Sequence, residues 1–391
     1  MAVTLVVNPG SSSKKYALFR DGRLVLRIDV SHTDKDIRYE VKKNESWVED
    51  MPISEEDYEN CIYKVIESTK KYLCIKDTID ISYVGLRLVA PGRSFQSHQF
   101  FTESLVEVLE KKASSAPLHI PPILAEYRIL KKALPQIRIV AASDSAFHNT
   151  MPKVASKYSI PIFDQEEFEI QRYGYHGLSV SSVVNRLRTF LSYDYSRVIV
   201  CHIGSGVSVT AVKDGLSVDT SMGFAPGSGL VMASRAGDLE TGALLELIRM
   251  KSLSLHEAHH YIQHQGGLNA LAGESDIRHL LERVARKDEQ AEHALSHFVY
   301  NIRKKIGSMI AVLGGVDVIV YTATAGERSP VLRSHILSPL SDLGILLDQE
   351  RNESAVKSEM IISSNDSNVK VVVVPTDELG EIDRIVRTIT G

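Results

Sequence analysis

Two runs of small residues in this chain could close on a phosphate. Residues 204–206 read Gly-Ser-Gly, and residues 9–13 read Pro-Gly-Ser-Ser-Ser. Without bulky side chains, backbone N–H groups at such turns can approach an anion closely. Other groups able to bind a ligand stand just past the ends of apolar runs: Arg93, Asp144, His148, Ser205 and Asp219. Open α/β sheets bind ligands at that edge.

The elements that must position these residues recur in a fixed order. The apolar run 198–201 predicts a buried strand, the small turn follows, and 207–212 alternates as a second strand. Asp214-Gly215 then turns the chain into a third strand. The N-terminus repeats this plan, with strands over 4–8, 15–20 and 23–30 and an Asp21-Gly22 hairpin. The plainer reading is two ordinary hairpins whose glycines serve only the turns. The matching order favours a duplicated domain with a phosphate loop in each half.

Further strands are expected over 81–89, 137–142, 316–321 and 369–374, and 37–47 reads as a polar edge strand or loop. Helices are expected over 54–73, 102–113, 121–134, 180–190, 240–251, 254–264, 275–286 and 290–313, with a short one from 379. Residues 322–326 read as a third strand-end turn. Strands alternating with helices predict an α/β sheet between helix layers. The Gly/Ser/Met-rich stretch 220–238 is too long for an ordinary connection and is expected to be functional.

Bulk properties exclude several classes. The 391 residues, 43% hydrophobic and 24% charged, suit a globular protein of two or three domains. A net charge of −4 with both signs interspersed argues against a nucleic-acid partner. No apolar run approaches the ~20 residues of a membrane helix, and the N-terminus has neither the basic segment nor the cleavage site of a signal peptide. Cys61, Cys74 and Cys201 are widely spaced and read as reduced core residues, which points to the cytoplasm.

Several longer motifs, in order, resemble the acetate/propionate kinase family, within the actin-like ATPase (ribonuclease H-like) fold. They are NPGSSSKKY at 8–16, VGLRLVAPG at 84–92, APLHIPP at 116–122, SDSAFHNTMP at 143–152 and RYGYHG at 172–177. CHIGSGVSV at 201–209, DTSMGFAPGSGLVMASRAGD at 219–238 and PTDE at 375–378 complete the set. The resemblance implies two domains of one duplicated fold around a cleft. The first would comprise 1–147 plus 381–391. The second, 148–380, would hold the nucleotide site and the interface of a homodimer.

It also implies transfer of a phosphoryl group between ATP/ADP and a short-chain carboxylate, forming an acyl phosphate with Mg2+. Such a transfer spreads negative charge over the equatorial oxygens, so cations and donors should surround it. By the resemblance Arg87 and Arg235 hold the carboxylate and the migrating group, His176 donates to the transition state, and Asp144 is an essential carboxylate. Asn8 and Glu378 are the metal-side residues. Val89, Leu118, His119, Tyr175 and Pro226 bind the acyl substrate. Ser11, Ser13, Lys15, His202, Gly204, Ser205, Gly206, Gly326 and Glu327 bind phosphates or nucleotide.

The sequence also departs from the family pattern. Leu86 and Ala90 stand where histidines are usual, Pro91-Gly92 replaces a Gly-Gly pair, Ser143 replaces an aromatic and Val180 a histidine. Ser205-Gly206-Val207 replaces Asn-Gly-Gly, and residues 323–328, ATAGER, replace a Gly-rich nucleotide turn. The acyl half is thus kept and the nucleotide half altered. The alternatives are the same acyl site served by another donor such as pyrophosphate, or a low-activity binding paralogue. A separate motif, His256-Glu257-Ala258-His259-His260, matches the H-E-x-x-H zinc pattern. It reads better as an ordinary surface helix.

Overall fold

The computed structural model describes residues 3–10, 13–33, 36–44, 46–73, 81–192 and 194–391. Ser11 and Cys74 lie outside the described residues. The chain divides into two compact units, residues 1–146 with 377–391, and residues 147–376.

Unit 1 is built on an eight-stranded sheet. Its strands are β1 (Val3–Pro9), β2 (Ser13–Arg20), β3 (Arg23–His32), β4 (Ile37–Lys43), β5 (Ser46–Pro52), β6 (Ile81–Leu88), β7 (Gln99–Phe100) and β8 (Arg138–Ser143). Their order is β5-β4-β3-β2-β1-β6-β8-β7. β1 runs antiparallel to β2 and parallel to β6, which runs parallel to β8. Strand β1 is apolar and buried along nearly its whole length, as a central strand should be. Within the polar stretch 37–47, residues 37–43 form β4 and 46–47 open β5, the edge strand, whose side chains stay largely exposed.

The expected helix over 54–73 is two helices, Glu55–Glu59 and Cys61–Leu73, parted at Asn60. Ser54 caps the first, accepting from the Asp57 N–H at 3.1 Å. The helix Glu378–Thr390 lies against β1 and β6. It docks because Gly85 has no side chain: a Cβ there would lie 2.5 Å from Ile382 and 2.8 Å from Val386. The chain accordingly rejoins unit 1 at Asp377 rather than at residue 381.

Unit 2 carries six strands: β9 (Arg197–Ile203), β10 (Val207–Lys213), β11 (Leu216–Thr220), β12 (Val318–Thr322), β13 (Met360–Ile361) and β14 (Lys370–Val373). Their order is β11-β10-β9-β12-β14-β13. β9 is antiparallel to β10 and parallel to β12, which is parallel to β14. This repeats the β3-β2-β1-β6-β8-β7 run of unit 1, strand for strand. Val180, Val183, Val184 and Leu187 of the helix Gly177–Phe190 pack on Val198, Val200, Val318, Val320 and Val372 of the sheet. Val180, where the family usually has a histidine, is a core residue here.

The turn expected at 322–326 is instead the end of β12 followed directly by a helix, Ala323–Arg328. A second helix, Pro330–Leu337, follows at once and was not among the expected helices. Its start nevertheless carries a local signal: Ser329 accepts from the Leu332 N–H at 3.2 Å, and Pro330 occupies the first turn. Residues 221–238 carry no helix or strand. They are nevertheless pinned, because Gly229 N–H donates to Asp238 Oδ1 at 2.7 Å and Asp238 N–H returns to Gly229 O at 2.9 Å.

Candidate active site

In unit 1 the parallel strands β1, β6 and β8 end along one edge, and polar side chains converge there. Asn8 is the penultimate residue of β1, Arg87 lies near the end of β6, Asp144 follows β8, and Glu378 opens the last helix. Arg87 Nη2 lies 3.0 Å from Asp144 Oδ2, and Arg87 Nη1 donates to Asn8 Oδ1 at 3.2 Å. Asn8 Nδ2 donates to Glu378 Oε2 at 2.9 Å, and the Arg87–Glu378 separation is 3.7 Å. Asp144 is held in place through its own backbone, whose N–H donates to Leu88 O at 2.9 Å.

Burial disfavours the Arg87 cation, but Asp144 and then Glu378 more than offset it and push its pKa above the ordinary arginine value. Arg87 Nε has no hydrogen-bond partner among the described residues, so this planar fork keeps a donor in reserve.

Around this cluster the small turn is tight. Gly10 N–H donates to Ser13 O at 2.7 Å, and a Cβ on Gly10 would lie 3.0 Å from that oxygen. Ser13 opens β2, and Lys15 pairs with Asn8 across the strands. Its neighbour Lys14 points to the opposite face, where Nζ lies 3.1 Å from Glu126 Oε2. Tyr16 O–H donates to Glu126 Oε1 at 2.7 Å. This buried Lys14–Glu126–Tyr16 network steadies β2, and sequence reasoning missed it.

Val89 is buried and Leu118 half-buried. His119 is the N-cap residue of the helix Ile120–Ala133 but makes no side-chain cap. Ser143, where the family has an aromatic, locks its loop: its hydroxyl donates to Phe95 O and its N–H to His98 Nδ1. Burial pushes the His98 pKa down to about 4, partly opposed by Glu381.

Unit 2 assembles its groups around two histidines. His176 sits at the N-cap of the helix Gly177–Phe190 with φ 62°, a left-handed conformation unusual for a residue with a side chain. Its Nδ1 is 2.9 Å from Ser208 Oγ on β10. His202, near the end of β9, has Nδ1 2.8 Å from Ser179 Oγ. The two rings stack with centroids 3.9 Å apart. A Cβ on Gly206 would meet His176 Nε2 at 3.0 Å and Arg235 Nη1 at 3.9 Å, so only glycine lets this turn sit so close to the imidazole. Arg235 Nη1 donates to Pro226 O at 3.2 Å, and Tyr175 O–H donates to Phe224 O at 2.6 Å. The structure thus gathers His176, His202, Gly206, Arg235 and Pro226.

His148 takes a supporting place, joined to Ser217 Oγ at 2.9 Å and to Tyr175 O at 3.0 Å. Arg93 is an exposed residue. Asp219 bonds its neighbour's N–H, and burial raises its pKa.

The second small turn closes on itself through Gly204 N–H to Gly206 O at 3.0 Å, with Ser205 exposed and Val207 buried in β10. It abuts the helix Ala323–Arg328: Cβ positions of Gly204 and Ala323 fall 3.7 Å apart. Ala323 holds φ 65° where the family usually has glycine. Gly326 packs against Cys201 and Ile203. The Glu327 carboxylate accepts from Thr376 N–H at 2.9 Å. Beneath lies Arg333, fully buried, donating to Gly326 O at 2.7 Å and to Asn352 Oδ1 at 2.8 Å. Burial lowers its pKa to about 10. No local pattern marked Arg333, which looks like any helical arginine.

His256 to His260 lie on the helix Leu255–His264. Glu257 closes a capping box with Ser254, whose Oγ it accepts from at 2.7 Å. Among the described residues no group of three or more His, Cys, Asp or Glu side chains could hold a metal ion.

The model of the Acetokinase family matches residues 3–384 of the chain. The acetate kinase of Carboxydothermus hydrogenoformans is 36% identical over 389 residues, covering 96% of each chain. That of Campylobacter jejuni is 35% identical over 394 residues, covering 99% of each. Among solved structures, the acetate kinase of Porphyromonas gingivalis superposes with a TM-score of 0.87 at 32% identity over 100% of both chains. A propionate kinase from Francisella tularensis gives 0.89 at 29% identity, covering 98% of this chain and 99% of its own.

Proposed function

This chain belongs to the acetokinase family, with its duplicated actin-like ATPase fold, and we propose that it is a carboxylate kinase moving a phosphoryl group between ATP and acetate or propionate. The product is the acyl phosphate, with ADP released. The observation that carries this reading onto residues is the convergence of Asn8, Arg87, Asp144 and Glu378 at the ends of β1, β6 and β8. A guanidinium aligned by a buried carboxylate is suited to hold a small carboxylate or a phosphoryl oxygen. No observation favours a pyrophosphate donor or a purely binding role.

Arg87 and Arg235 neutralise charge on the acyl and phosphoryl oxygens, and His176 donates to the transferring group. Asp144 orients Arg87. Val89, Leu118, His119, Tyr175 and Pro226 shape the acyl site. Ser11, Ser13, Lys15, His202, Gly204, Ser205 and Gly206 meet phosphates, with Gly326 and Glu327 at the nucleotide. Glu327 acts through Thr376, the group it binds.

Magnesium takes oxygen donors, one or two carboxylates among them, and keeps several waters. Asn8 and Glu378 supply a carboxamide and a partly exposed carboxylate side by side, which fits such an ion. When bound it would offset charge on the nucleotide phosphates.

Two further readings concern the whole molecule. A homodimer through unit 2 is supported by its exposed apolar side chains, among them Ile162, Phe163, Met250, Leu255 and Tyr300. Light scattering at micromolar concentration reads that state directly. A cytoplasmic location accords with buried, unpaired Cys61 and Cys201. Among the described residues no helix is long and apolar enough to cross a membrane.

The activity is tested by trapping acyl phosphate as the hydroxamate across a panel of carboxylates and donors. Product is expected with ATP, magnesium and acetate or propionate. Product with pyrophosphate and none with ATP would overturn the donor assignment.

A further inference from the structure

We propose that Ser179 and Thr376 act as positioning residues that fix His202 as a neutral imidazole with its proton on Nε2. Ser179 has no part in the chemistry described above, and Thr376 enters it only as the group that Glu327 binds. Ser179 lies on the helix Gly177–Phe190 and is wholly buried. Thr376 Oγ1 donates to Ser179 Oγ at 2.8 Å, and Ser179 Oγ lies 2.8 Å from His202 Nδ1.

A serine hydroxyl has one proton. With Thr376 donating into it, that proton must find an acceptor, because a buried donor left without one loses its solvation with nothing in return. Among the described residues the acceptor it meets is His202 Nδ1. An accepting Nδ1 carries no proton, so the ring is neutral and its proton sits on Nε2. Thr376 is itself anchored, since its N–H donates to Glu327 Oε1 at 2.9 Å. The path therefore runs from the helix Ala323–Arg328 through Thr376 and Ser179 to His202.

Two consequences follow for the site. His202 Nε2 lies near the second small turn, 3.9 Å from where a Cβ on Gly204 would be. A fixed N–H there is a ready donor for a phosphate oxygen. The stack with His176, at 3.9 Å, would place two cations face to face if both rings were charged. Holding His202 neutral leaves the charge to His176. Among the described residues no second hydroxyl pins Ser208, so it can donate or accept as His176 changes protonation. These consequences rest on the proposed kinase activity, whereas the tautomer does not.

The test is nitrogen NMR of the full-length protein labelled with 15N-histidine, with the His202 signals assigned by loss in His202→Gln. His202 should show a protonated Nε2 and a bare Nδ1 near neutral pH. Ser179→Ala should shift it toward exchanging tautomers, and Thr376→Val should move it the same way from the other end. Ser179→Thr and Thr376→Ser should preserve the original pattern. In steady-state kinetics Ser179→Ala should lower kcat/KM for ATP about tenfold, the worth of one good hydrogen bond, with carboxylate KM nearly unchanged. A protonated Nδ1 in the parent protein, or an unchanged tautomer in Ser179→Ala, overturns the proposal. The expected tautomer in a protein that makes no acyl phosphate would instead overturn the activity reading and leave this one standing.

Discussion

The two units share one strand order but hold their polar groups by different physics. Unit 1 fixes Arg87 with charges: Asp144 at 3.0 Å and Glu378 at 3.7 Å flank it, with Asn8 between. Unit 2 fixes His176 and His202 with neutral hydroxyls, and Arg235 with a backbone carbonyl. A duplicated sheet therefore supplies the place for a site, the ends of its parallel strands, without dictating the chemistry put there. Charges that orient one another tolerate little change. Hydroxyl-held rings can be retuned one bond at a time.

The largest effect expected is on turnover, and it asks whether both units supply cationic stabilisation. Arg87→Ala and Arg235→Ala should each lower kcat by about a hundred- to a thousandfold, the usual cost of removing a donor aimed at developing charge. Single-turnover kinetics would measure it. If Arg235→Ala keeps near-normal turnover while Arg87→Ala does not, the cationic stabilisation comes from unit 1 alone.

The next test separates the two holding schemes by stability. Asp144→Ala strands the mostly buried Arg87 cation and should destabilise the protein by about 3 kcal/mol. Ser208→Ala removes a single neutral hydrogen bond and should cost about 1 kcal/mol. Urea unfolding of both variants compares them. Equal losses would mean that the ion pair carries no special burden.

A smaller effect belongs to unit 1 alone and depends on pH. The folded-state pKa of His98 lies near 4, below its ordinary value of about 6.5. Between those values the unfolded chain binds a proton there that the folded chain refuses, so stability falls as pH drops through that window. The loss by pH 4.5 should be on the order of 2 kcal/mol. His98→Gln should flatten this part of the profile, as followed by unfolding at pH 7 and pH 4.5. A variant with the parent's slope would assign the acid sensitivity elsewhere.

What the sequence reveals follows how locally each feature is encoded. The two strand-turn-strand repeats, the Ser54 cap and the long helix Glu289–Leu313 rest on neighbouring residues and are legible. So are the positions of Arg87 and Asp144, once their motifs stand in order. The pairings Lys14–Glu126, Ser179–Thr376 and Gly85–Ile382 join residues far apart in the chain, and no local pattern announces them. The helix Ala323–Arg328 is hidden by its composition, since Thr and Gly are poor helix formers and read as a turn. Val180 shows the opposite case: it reads as a departure from the family's usual histidine and is a core side chain.

The smallest effect concerns Arg328, the last residue of that helix, which is exposed. The family's usual residue here is asparagine. An exposed guanidinium is well solvated and screened by salt, so its influence on a bound anion is modest. Arg328→Asn should therefore change KM for ATP by no more than a few-fold. It should leave KM for the carboxylate nearly unchanged, because the helix packs against the Gly204–Gly206 turn, and the pinned elements of that turn do not depend on the Arg328 side chain. Raising ionic strength should shrink the ATP effect further, as screening requires. Steady-state kinetics against both substrates at two salt concentrations decides it. A change confined to the carboxylate KM would place this helix on the acyl side of the reaction, and the division of labour between nucleotide and acyl residues would have to be redrawn.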